Sequence, residues 1–129
     1  MSIGIVGTWR LVKTLAFDEH GRAIAPPYGP KPMGLAMFHA DGRMMAVLSD
    51  ARTDLPPSER DYMSYCGLYS FDGTTLRTRV DGSSEPARVG GEQVRTASID
   101  NGLLKLAPPL RPWRGALQRH ELYWERIGS

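Results

Sequence analysis

Two tyrosines stand four residues apart in Tyr65-Cys66-Gly67-Leu68-Tyr69, with a glycine midway between them. In an extended chain Tyr65, Gly67, Tyr69 and Phe71 share one face, opposite Ser64, Cys66, Leu68 and Ser70. If that face points into an apolar interior, two phenol hydroxyls can donate to a carbonyl or a developing oxyanion, and the glycine leaves space beside the rings. Glu92, Glu125 and His39 are the groups able to act as base in such proton-transfer chemistry, which requires neither a metal nor a covalent nucleophile. The alternative is that both tyrosines sit on a rim or an outer face. A second polar pair, Gln93 and Arg95, shares a strand face further along the chain. With Tyr65 it could orient a carboxylate or carbonyl; equally, Arg95 could be taken up by Glu125 or Asp81 as an ion pair.

Other chemistries lack their residues. His20, His39 and His120 have no His or Cys neighbour at metal-ligand spacing, so no metal site is expected. Gly-x-Ser-x-Gly, P-loop and Gly-x-Gly-x-x-Gly patterns are missing, no cofactor is implied, and Cys66 reads as a small buried residue. The net charge of +2 is spread along the chain, and the densest basic stretch, Arg111-Pro-Trp-Arg114, reads as a solvated loop. A nucleic-acid binder would show a basic stripe and a recognisable module. One cysteine allows no internal disulfide and suits a reducing compartment. The opening residues lack a signal-peptide pattern and no apolar run could cross a bilayer, so a cytoplasmic protein without membrane contact is expected. With 129 residues, 41% of them hydrophobic, the chain is expected to form one domain, 1–129.

The elements that must position these groups are strands. Glu19-His20-Gly21, Asp41-Gly42, Asp72-Gly73 and Asn101-Gly102 are hairpin signals between stretches rich in Val, Leu, Thr and aromatic residues; Asp81-Gly82 is either a turn or a bulge. They predict strands at about 7–17, 34–39, 43–50, 63–71, 74–82, 91–99, 103–107 and 117–127, with one short helix or helical turn near 57–62. The Pro-rich stretches 26–32 and 108–112 predict rim loops. Short local connections favour an all-β, up-and-down antiparallel barrel of about eight strands. Such a barrel is either filled by side chains or holds one small ligand. Met33, Met37, Met44, Met45 and Met63 cluster mid-chain, and Met37 and Met45 are candidates to line a cavity for a flexible apolar molecule.

"IVGTWRL" at 5–11 resembles the Gly-x-Trp opening of lipocalins and related calycin barrels. With "PPYGPKPMGLAMFHADGRMMAVL" at 26–48, "YCGLYSFDG" at 65–73, "GGEQVRTASIDNGLLKLAPP" at 90–109 and "LYWERI" at 122–127, it is similar in order and spacing to the small lipocalin-like proteins of bacteria and fungi. The resemblance implies that Trp9 closes the barrel floor, with Arg126 covering its ring. It places the functional end opposite, around Tyr28 and the Pro-rich loops. It implies binding of a small hydrophobic molecule, or cofactor-free isomerase or cyclase activity on a polyketide-like compound. A solid barrel serving as an interaction module, such as a homodimer, is a third expectation.

Overall fold

The computed structural model describes residues 3–129. Ten strands run in chain order: β1 (Gly7–Asp18), β2 (Ala23–Ile24), β3 (Pro32–Phe38), β4 (Arg43–Asp50), β5 (Tyr62–Phe71), β6 (Thr75–Ser83), β7 (Glu92–Asp100), β8 (Leu103–Ala107), β9 (Arg111–Trp113) and β10 (Ala116–Gly128). Every pairing is antiparallel, and β1 pairs with both β3 and β10, so eight long strands close into an up-and-down barrel. The short β2 and β9 are added along β1 and β10. Closure leaves the eight long strands without free edges, which is why so small a sheet can bury one full face.

The strands alternate as the sequence predicts, except where a bulge intervenes. In β1, Leu11 opposes Trp124 but Lys13 opposes Tyr123, so Val12 is an extra residue. Beyond it the inward residues are Thr14 and Ala16, not Leu15 and Phe17 as unbroken alternation from Trp9 predicts. Lys13 consequently lies outside, its ammonium 4.6 Å from the Tyr123 ring centre. In β6, Cys66 opposes Gly82 and Gly67 opposes Val80, which makes Asp81 a further bulge and decides that Asp81-Gly82 is no turn. The helical turn is confined to a 3-10 turn at Pro57–Glu59 without a side-chain cap, and a second, not predicted, covers Pro86–Arg88.

The barrel has two unlike ends. At one, hairpins 39–42, 72–74 and 101–102 join strands tightly; Asn101 and Gly102 take φ of 51° and 80°, as a tight right-twisted hairpin demands. Trp9 plugs this end: its Nε1 donates to the Ile5 carbonyl (2.9 Å), and the Arg126 guanidinium lies 4.3 Å from its ring centre. Arg126 also donates to the carbonyls of Gly4 and Val6, tying the segment before β1 across the floor. The other end carries the longer loops 19–31, 51–61, 84–91 and 108–115. Among the described residues no helix is long and apolar enough to cross a membrane.

Candidate functional site

The inner faces of β4, β5 and β10 contribute Leu48, Met63 and Leu122 to the loop end of the interior. There they border a cavity of about 50 Å³. Its polar lining is built from several elements. Alternation in β7 turns Gln93 and Arg95 inward. The 3-10 turn at Pro86–Arg88 brings in Arg88, and β9, an edge strand that tolerates Pro112, brings in Arg111. Tyr28 reaches it from the loop before β3. It holds φ at 66°, its backbone N–H donates to Asp61 (2.8 Å), and its ring meets Trp113 edge-on at 6.1 Å. Tyr65 enters from β5 and Trp124 from β10.

Three arginines thus surround one small space, yet the nearby carboxylates leave two of them, Arg95 and Arg111, without an acidic partner. Asp61 pairs with Arg114, Asp50 with Arg52 (2.7 Å), and Glu85 with Arg88 (2.9 Å). Among the described residues no carboxylate is within ion-pair distance of Arg95 or Arg111. Arg95 donates to the Val94 carbonyl (3.0 Å). Burial holds the Arg95 pKa below its ordinary value; burial, then neighbouring Arg95 and Arg88, lowers that of Arg111 to about 10. Guanidinium groups keep their proton in proteins, so both are cations at neutral pH. Burial pushes the Tyr28 phenol up to about 12, and burial followed by the charges of Arg111 and Arg95 brings His120 down to about 4. Arg88 donates to Gln93 Oε1 (2.5 Å), which leaves the Gln93 amide nitrogen without a protein partner; Arg111 Nε and Trp124 Nε1 are buried in the same condition.

Residues 6–127 match the profile of the lipocalin-like domain family. The chain belongs to that family. Among curated proteins none matches it. A lipocalin-like barrel suggests small-molecule binding in general, because its closed sheet encloses a space that side chains need not fill.

Within this lipocalin-like barrel the candidate residues separate into those that converge and those that do not. Tyr28, Tyr65, Gln93 and Arg95 come together around the cavity. Arg95 pairs with neither Glu125 nor Asp81, since these face outward and bind Arg10 and Arg43. Met37 and Met45 lie on the outer face, Met45 being 56% exposed; inner positions in β3 and β4 go instead to Gly34, Ala36, Phe38, Met44, Ala46 and Leu48. The small residues are required there, because a Cβ on Gly34 would stand 3.0 Å from that of Leu11. Tyr69 points inward but toward the closed end, where it donates to the His39 carbonyl (2.6 Å) and packs edge-on against Phe38 at 5.1 Å. His39 is exposed in a hairpin, and Glu92 pairs with Arg77 outside (3.0 Å), so no candidate base reaches Tyr65. Cys66 faces outward and its thiol donates to Asp81 (3.4 Å), which together with burial raises its pKa.

Arg88, Arg111 and Trp124 are the site residues that sequence reasoning missed. Arg111-Pro-Trp-Arg114 was visible as a basic stretch but read as a solvated loop; the pairing of Arg111 with Gln118 folds it inward. A wider concavity, about 520 Å³, lies outside the barrel, where Leu35, Met37, Met45, Val47 and Tyr62 form an open apolar groove. None of the buried partnerless donors borders it.

Proposed function

We propose that this lipocalin-like barrel binds a small molecule with an apolar body at the loop end of its interior. What carries the reading is the meeting, at one cavity, of an apolar wall with three buried N–H donors that lack protein partners. Buried donors of this kind cost about 1–3 kcal/mol each unless something accepts from them. A vestibule of about 330 Å³ opens between the Pro86–Arg88 turn and the start of β9, and it shares Arg88, Gln93, Arg95 and Arg111 with the inner cavity. These four side chains form a partition through which a ligand enters. Ligand pockets usually hold about 300–1,000 Å³, so an interior of 50 Å³ widens on binding. Met63, flexible along three bonds, is suited to yield. Binding is favoured over isomerase or cyclase chemistry because Glu92, Glu125 and His39 all stand away from the cavity.

The test is titration with small aromatic probes, followed by tryptophan fluorescence. A saturable signal is expected in the wild type and its loss in Trp124→Phe, which keeps an aromatic ring in the wall. Loss on Met45→Lys with retention in Trp124→Phe would move binding to the outer groove and refute the reading, as would no binding at all.

A further inference from the structure

We propose that the ligand carries a carboxylate, gripped by the guanidinium groups of Arg95 and Arg111 with the Gln93 amide as a further donor, while its apolar body lies between Leu48, Met63 and Leu122. This rests on the interior binding reading above and names the chemical class of its ligand.

Two independent observations lead there. The first is the sign of what is missing. The buried polar atoms bordering the cavity without a partner are Gln93 Nε2, Arg111 Nε and Trp124 Nε1, and every one of them is a donor. A ligand that satisfies them must present acceptors, and several in one place. The second is charge. Arg95 and Arg111 reach the same cavity from different strands without a carboxylate partner among the described residues, although Asp50, at the end of β4, and Asp61 and Glu85, in the flanking loops, are each bound to another arginine. Those pairs neutralise the mouth and leave the inner cations uncompensated. Like charges enclosed together destabilise the barrel until an anion joins them.

The chemistry selects the anion further. A guanidinium presents paired N–H groups in a planar fork that matches the two oxygens of a carboxylate, which a lysine could not do. Gln93 is already oriented: its oxygen accepts from Arg88, which leaves its buried nitrogen free to donate to a ligand. Behind this polar layer the wall is apolar, so a free inorganic anion would leave that half of the site unused. A neutral amide would supply one acceptor but also bring N–H groups toward cations.

The experiment is calorimetric titration of the full chain with matched pairs: benzoate and benzamide, phenylacetate and phenylacetamide, cinnamate and cinnamamide, with sodium sulfate as the plain anion. Acids are expected to bind about tenfold to a hundredfold more tightly than their amides, the range set by charge-assisted hydrogen bonds. Arg95→Met and Arg111→Met should each erase that preference, the affinity for the acids falling to that for the matched amides. Arg77→Met removes the same charge from the outer face and should retain the preference. Melting curves of all three variants verify folding. Equal binding of acids and amides would overturn the carboxylate assignment while leaving the interior binding reading intact. Sulfate binding as tightly as the acids would overturn it too, by showing a bare anion site. Binding of neither acids nor amides would overturn both.

Discussion

Arg95→Met should make the ligand-free protein more stable while removing its binding preference. The substitution keeps an unbranched chain of similar length, so packing against the inner wall is largely preserved. It forfeits one hydrogen bond, from the guanidinium to the Val94 carbonyl at 3.0 Å, worth about 1 kcal/mol net. Against this, it removes a cation that is partly buried beside Arg88 and Arg111 without a carboxylate partner, and replacing buried ionic groups by apolar ones of similar volume gains about 1–4 kcal/mol. The balance is a stabilisation of about 0–3 kcal/mol, centred on a rise of about 5 °C in Tm for a chain of this size. Urea denaturation at pH 7.5 in a chloride buffer, free of carboxylate salts, measures it, with thermal melts alongside. Destabilisation by 1 kcal/mol or more would show that the Arg95 charge is satisfied within the protein and would refute the reasoning. The expected pattern, stability gained and binding lost, is that of a residue retained for its ligand.

His120, buried at the loop end with a folded pKa of about 4 against an ordinary 6.5, favours the unfolded chain as acid is added, because the unfolded imidazole takes up its proton first. Stability should therefore hold above pH 7 and fall by about 2–3 kcal/mol between pH 6.5 and 4; urea midpoints across that range measure it, and a flat profile in wild type would contradict it. The Asp50 carboxyl, held near 2 chiefly by its hydrogen bonds from Arg52, adds its own loss only below that window. Gly67→Ala should cost at least about 2–3 kcal/mol, since the new Cβ would stand 2.0 Å from the Arg79 carbonyl oxygen at the β6 bulge; an unchanged urea midpoint would be inconsistent with that contact. Tyr69→Phe should lose about 1 kcal/mol with its hydrogen bond to His39 and leave probe affinity unaltered; weakened binding would return Tyr69 to the site.

The barrel was legible in the sequence because its information is local. Asp41-Gly42, Asp72-Gly73 and Asn101-Gly102 mark tight turns by the backbone they permit, and alternation between them groups Gln93 with Arg95 on one shared face and Tyr65 with Tyr69 on another. Trp9 and Arg126, at opposite ends of the chain, meet as the resemblance implied. What stayed hidden depends on register. Val12 bulges out of β1 and reverses the faces beyond it, and nothing in "RLVKTLAF" marks that position. Met37 and Met45 looked like lining because methionine suits cavities, yet one step of alternation puts them outside and Met44 and Met63 inside. Arg88 and Arg111 come from a short turn and a three-residue strand, too brief for periodicity to register, and only tertiary packing carries them to Arg95.

The pairing of Thr8 with Gly128 has a practical consequence. β1 and β10 leave the sheet side by side at the end that Trp9 closes, far from the loops that frame the cavity. A short glycine linker could join them there, and new ends could be cut at hairpin 72–74 on the same rim. The rearranged chain would keep every strand neighbour and every residue at the mouth. The order in which the strands are read is therefore separable from the container they build, and reporter groups fused at the closed end would leave the entrance free.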